Sequence, residues 1–136
     1  MQTFFNPSCN KDFIIENLTE CKNLKNLFIH NCNLSNSAFH SISKFTNLMN
    51  LQIIATSELR KYNVSDEEMS EIIRESVNLK EAVLHNFVNL TDKFIETASE
   101  IKNARQDSHA LKISLKNSKI TSLKNLKLIS LILDKN

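Results

Sequence analysis

The chain has no glycine and no tryptophan, and a single proline, Pro7, in 136 residues. Without glycine there is no Walker loop, no G-x-G-x-x-G dinucleotide turn and no G-x-S-x-G nucleophile elbow. Each of these needs a backbone conformation or a close approach that only glycine permits. Charge of one sign is also missing: 17 basic against 15 acidic residues leave +2 at pH 7. That is far from the basic stripe of a nucleic-acid domain. The most apolar stretch, 126–133, is broken by Lys127 and Ser130, and falls well short of the roughly 18 residues of a membrane span. Residues 1–7 carry neither the basic region nor the apolar core of a signal peptide. These absences predict a cytoplasmic or nuclear chain with neither a membrane nor a nucleic acid among its partners.

Three cysteines, Cys9, Cys21 and Cys32, form no C-x-x-C pair, so neither a zinc knuckle nor a thioredoxin-type motif is expected. Reduced, buried thiols are the simplest reading. Asparagine, by contrast, is abundant, at 18 residues, and the 41% hydrophobic content is that of a folded domain.

The apolar residues repeat. Residues 24–34 place Leu24, Leu27, Ile29, Cys32 and Leu34 in the pattern L-x-x-L-x-L-x-x-[N/C]-x-L, which is similar to the template of leucine-rich repeats. Looser copies follow at Leu48, Leu51 and Ile53, with Thr56 in the cysteine position. Further copies lie at Leu79, Ala82, Leu84, Phe87 and Leu90, and at Ala110, Ile113, Leu115, Ser118 and Ile120. Leu128, Leu131 and Leu133 restart the pattern at the end of the chain. The anchors Leu34, Val64, Leu90 and Ile120 are 30, 26 and 30 residues apart, intervals that suit strand-plus-helix units. The resulting division is a single domain over 1–136, with a degenerate opening unit at 1–23 and repeats at 24–47, 48–78 and 79–109. Compressed terminal units occupy 110–127 and 128–136.

Helix starts are marked by Ser35-Asn36, Ser65-Asp66 and Thr91-Asp92, each followed by apolar residues three and four apart. Ser65-x-x-Glu68 has the form of a capping box. The helical faces are expected to be Phe39, Ile42 and Phe45; Met69, Ile72 and Ile73; and Ile95, Ala98 and Ile101. Ile15, Leu18, Cys21 and Leu24 have the same spacing, which predicts a further helix over 10–23. Residues 55–63 read as a polar loop carrying Arg60, Lys61 and Tyr62.

The unit from Cys21 to Asn36, written C-x-x-L-x-x-L-x-I-x-x-C-x-L-[S/T]-[N/D], resembles the cysteine-containing repeats of animal F-box leucine-rich-repeat proteins. Residues 90–98 and 111–113, separated by a polar insert at 103–108, are similar to the closing repeats of that family. The resemblance implies an α/β leucine-rich-repeat solenoid: a short right-handed horseshoe with a parallel sheet on its concave face and helices on its convex face. It also implies substrate recognition within an F-box-type ubiquitin ligase. No F-box is visible before the first repeat, so contact with a cullin-ligase adaptor would require one outside this chain.

Parallel strands lie about 4.8 Å apart, so equal repeat positions form columns on the face away from the helices. One column is expected to run Phe28, Gln52, Val83, Ser114 and Ile132. The next runs His30, Ile54, His85, Lys116 and Asp134, beside Asn31, Ala55, Asn86 and Asn117. Apolar groups among hydrogen-bonding groups are what a protein-binding face needs. Phe28, His30, Gln52, Ile54, Val83, His85 and Lys116 are therefore the candidate binding residues. His30 and His85 sit two strands apart, about 10 Å, too far to share a zinc ion, while His40 and His109 read as surface residues. Cys32 is expected to point inward and bond neighbouring backbone amides. Lys112, Lys116, Lys119, Lys124 and Lys127 have no aromatic or arginine partner for base recognition and read as a solvated face. Leu24, Leu27, Ile29, Leu48, Leu51, Ile53, Leu84, Ile113 and Leu115 are the expected core.

The functional expectation is a non-catalytic protein-interaction module with no enzyme constellation, metal or cofactor. The alternatives are an assembly module, or a fragment of a longer repeat protein. The strand-like 126–133 stretch would leave an open edge that favours docking or self-association.

Overall fold

The computed structural model describes residues 23–55, 60–105 and 110–120 in full, and the strands at 2–5 and 129–134 as backbone. Six parallel strands lie in one sheet in chain order: β1 (Gln2–Phe5), β2 (Asn26–His30), β3 (Asn50–Ile54), β4 (Glu81–His85), β5 (Leu111–Lys116) and β6 (Ile129–Asp134). Among the described residues three helices link consecutive strands from β2 to β5: α1 (Asn36–Ile42), α2 (Asp66–Glu75) and α3 (Asp92–Ala104). The chain is thus α/β with a parallel sheet. Among the described residues no helix is long and apolar enough to cross a membrane. β1 is an addition to the sequence reading, which expects only a helix in the opening unit. That helix, with Cys9, Cys21, Thr56, His109, Lys124 and Lys127, lies outside the described residues.

Alternation along β2, β3, β4 and β5 makes the sheet one-sided. Leu27 and Ile29, Leu51 and Ile53, Ala82 and Leu84, and Ile113 and Leu115 are all buried, whereas the residues between them are half-buried or exposed. A parallel sheet covered on both faces would read as continuous apolar runs. Here the helices cover one face, and their buried side chains join the inward strand residues in a single core. All nine residues expected in the core are in it.

The helices begin where the hydroxyl caps predict. Ser35 accepts from the Ala38 N–H at 3.4 Å, Ser65 from the Glu68 N–H at 3.2 Å, and Thr91 from the Lys93 N–H at 3.3 Å. Each bond satisfies one of the amide donors that a helix start leaves unpaired. The Asp66 carboxylate also accepts from the Thr91 N–H at 2.8 Å. At the other end of α2, the Arg105 guanidinium donates to the carbonyls of Ile73 at 2.6 Å and Arg74 at 2.5 Å.

Three features depart from the sequence reading. Tyr62, expected in a polar loop, is 3% exposed. Its ring packs between Phe39 and Phe87, with centroid distances of 5.9 and 5.0 Å, and its hydroxyl donates to the Cys32 carbonyl at 2.7 Å. The inward face of α3 is rotated from the expected one: Phe94, Ile95, Ala98 and Lys102 are buried, and Ile101 is only partly so. Positions 94, 98 and 102 form one i, i+4 row, and that row meets the core.

The third departure concerns Asn31, Asn86 and Asn117. They follow directly on β2, β4 and β5 with φ of 57°, 65° and 59°, so they turn the chain out of the sheet and do not extend its face. This left-handed conformation favours glycine, and asparagine is among the few other residues that adopt it readily. A chain without glycine therefore uses asparagine here. The side chains also form a ladder: Asn117 Nδ2 donates to Asn86 Oδ1 at 2.8 Å, and Asn86 Nδ2 to the Arg60 carbonyl at 2.9 Å. Arg60 in turn donates to the Asn31 carbonyl. Ala55 holds the equal position after β3 and is not left-handed; the segment carrying Arg60 occupies its rung.

Candidate functional site

The face of the sheet away from the helices carries all seven candidate residues. Register pairs Phe28 with Gln52, Gln52 with Val83 and Val83 with Ser114; it also pairs His30 with Ile54 and His85 with Lys116. The backbone register continues to Phe4 at one edge and to Ile132 and Asp134 at the other. The middle column pairs without a break from Phe28 to Ser114, whereas the second is paired from His30 to Ile54 and from His85 to Lys116, the β3–β4 pairing ending at Ile53 and Leu84.

A third row escaped the sequence reading. Asn26, Asn50, Glu81 and Lys112 are in register at the start of the strands, and Asn50 Nδ2 donates to Asn26 Oδ1 at 2.6 Å. The signal was present, since these residues lie two positions before the middle column and period-two alternation returns them to the same face.

Polar and apolar groups interleave across this surface. His30 Nε2 and Gln52 Oε1 are 3.4 Å apart, a contact that requires the Nε2–H tautomer because the amide oxygen only accepts. Phe28, Ile54 and Val83 are half-buried among these polar neighbours, so the apolar content is divided into small patches. Among the described residues the exposed large apolar side chain, Val77 at 51%, lies elsewhere. Charge is kept to the outer rows, at Glu81, Lys112 and Lys116, and the middle row of Phe28, Gln52, Val83 and Ser114 has none. An uncharged, mixed centre bordered by charge is the pattern of a protein-recognition surface.

Cys32 is fully buried and points inward, and its Sγ–H donates to the His30 carbonyl of the neighbouring backbone at 3.3 Å. Ser118, at the equal position, accepts from the Ile120 N–H at 3.3 Å. His40 is exposed on α1. Among the described residues no three His, Cys, Asp or Glu side chains converge to hold a metal ion. No protein-family model, curated protein or solved structure matches this chain.

Proposed function

We propose that this chain is a short leucine-rich-repeat solenoid, a right-handed horseshoe that binds a protein partner on its concave sheet face without catalysis. The observation that carries the reading is the register, which lines up Phe28, Gln52, Val83 and Ser114 beside His30, Ile54, His85 and Lys116 on the sheet face opposite the described helices. Chain-order parallel strands with equal inward positions support the solenoid, since in such arrays each unit buries its apolar face on the next. The resemblance of 21–36 to F-box leucine-rich repeats supports a narrower reading. The partner is then a substrate for a cullin ubiquitin ligase, and an F-box outside this chain makes the adaptor contact.

The test is affinity capture with the chain beside a Phe28→Ala/His30→Ala/His85→Ala variant, with mass-spectrometric identification. Circular dichroism melting establishes that the variant is folded. A partner retained by the parent chain and depleted more than about tenfold by the variant is expected, since central interface residues each contribute on the order of 1–2 kcal/mol. Co-recovery of a cullin adaptor supports the ligase reading. Equal recovery of all partners by both proteins removes the concave face as the binding site. Recovery of further copies of the chain alone favours assembly through the outer edge of β6.

A further inference from the structure

A pocket of about 370 Å³ opens at the rim where the strands begin, away from the face described above. Lys25, Lys80 and Lys102 line it together with Asn47 and Asn78. We infer that this pocket binds a phosphate monoester.

Its geometry follows from the repeat. Lys25, Met49 and Lys80 hold equivalent places just before β2, β3 and β4. The Lys25 carbonyl accepts from the Met49 and Asn50 N–H groups at 2.7 and 3.1 Å, and the Met49 carbonyl from those of Lys80 and Glu81 at 2.8 and 3.2 Å. Successive strand spacings therefore set Lys25 and Lys80 about 10 Å apart with Met49 between them, close enough for two lysine stems to converge on one group. Asn47 and Asn78 lie two residues earlier in the same turns, so the repeat doubles the amide donors as well. Lys102 enters from the helix layer, in the last turn of α3, and is 1% exposed. The negative end of the helix dipole suits a cation there.

Three lysines thus line one cavity, Lys25 and Lys80 exposed and Lys102 buried in its wall, and among the described residues lining it there is no carboxylate. In a chain whose total charge is only +2, this is a local concentration of positive charge. Lysine and asparagine side chains from neighbouring units match the oxygens of a phosphate dianion, which accepts more charge-assisted hydrogen bonds than a single carboxylate. The cavity is larger than a phosphate group alone. Met49 and the exposed Val77 border it, giving an apolar wall for the organic part of an ester. Sequence spacing alone conceals the site because Lys102 comes from a helix more than 20 residues beyond Lys80.

The ester is carried either by a small molecule or by a phosphorylated side chain of a protein, and calorimetric titration of the full chain at low salt distinguishes the two. The probes are phenyl phosphate, a phosphoserine peptide and the same peptide with serine. Saturable binding of phenyl phosphate or of the phosphopeptide, with the serine peptide silent, is the expected result, and the tighter of the two identifies the source. Lys25→Gln/Lys80→Gln should weaken that binding by about 100-fold, roughly tenfold for each charge-assisted bond lost. Lys61→Gln/Lys119→Gln, two exposed positions away from the pocket, should stay within about threefold, the change left by weak surface electrostatics. Both double variants keep Lys102 in place, so neither disturbs the buried wall. Absence of saturable binding by either phosphate probe, or equal losses in the two double variants, overturns the inference. Neither result bears on the concave-face reading, whose residues lie outside the pocket.

Discussion

The Asp66 carboxylate joins the starts of two successive helices: it accepts from the Thr91 N–H at 2.8 Å and from the Thr91 hydroxyl at 2.5 Å. Asp66 opens α2 and Thr91 is the N-cap of α3, so one acidic side chain completes a cap on its neighbour while sitting at the positive end of its own helix. Asp66→Ala should cost about 1–2 kcal/mol in urea unfolding, the range of a lost cap bonded to a charged acceptor. Thr91→Val tests the pairing. In a double-mutant cycle the two losses should be sub-additive by at least about 0.5 kcal/mol, and strict additivity would show that the bonds carry no shared energy.

Tyr62 is the single tyrosine in a chain without tryptophan, so phenolate absorbance reports on it alone. Burial pushes its phenol up to about 12 from the ordinary 10.0, with Arg60 opposing the rise and Cys32 adding to it. The folded state therefore keeps its proton between about pH 10 and 12, where the unfolded chain releases it. With fewer protons bound in the unfolded state, stability falls as pH rises through this window and is fully retained below it. A spectrophotometric midpoint near 12 in the native chain, dropping toward 10 in denaturant, is expected. In Tyr62→Phe this part of the alkaline destabilisation should disappear, and a native midpoint at 10 would contradict the buried geometry.

Much of this arrangement was legible because it repeats. Leu27, Ile29, Leu51, Ile53, Leu84, Ile113 and Leu115 alternate with polar residues, and period two fixes both the buried face and the columns opposite. Ser35, Ser65 and Thr91 marked the helix starts by local hydrogen-bonding chemistry. What stayed hidden depends on contacts between units. Tyr62 sits among Lys61, Asn63 and Arg60 in sequence, and only the space between Phe39 and Phe87 draws its ring inward. Lys102 follows the apolar Ile101, so hydropathy selects the wrong neighbour, while the i, i+4 row from Phe94 through Ala98 carries the lysine into the interior. Asn31, Asn86 and Asn117 were visible as a recurring residue but not as a backbone device. The absence of glycine was the available clue, because some other residue must supply the positive φ that follows β2, β4 and β5.

Asn86 separates backbone from side-chain contributions. Its φ is 65°, its carboxamide bonds both Arg60 and Asn117, and it is 3% exposed. Asn86→Gly and Asn86→Ala both lose the ladder bonds, but alanine must also hold a left-handed conformation at a cost of about 1–2 kcal/mol. The alanine variant should therefore be less stable than the glycine variant by about 1 kcal/mol, offset partly by the greater freedom of glycine in the unfolded chain. Chemical denaturation measures the difference directly. Equal stability, or a more stable alanine variant, would rule out the conformational requirement.

Arg105 closes α2 from outside that helix. Its guanidinium reaches the carbonyls of Ile73, Arg74 and, at 3.5 Å, Ser76, acceptors that a helix end leaves without intrahelical partners. A planar fork spans several carbonyls, whereas a lysine ammonium acts as a point charge. Arg105→Met should lower stability by about 1–2 kcal/mol, and Arg105→Lys should recover only part of it. Hydrogen exchange locates the effect. The Ser76 N–H, bonded to the Ile72 carbonyl, and the Leu79 N–H, bonded to that of Ser76, should lose protection before the amides of β2, β3 and β4. Uniform loss across the chain would mean that Arg105 acts on global stability through packing, and full rescue by lysine would mean that charge alone is sufficient at this helix end.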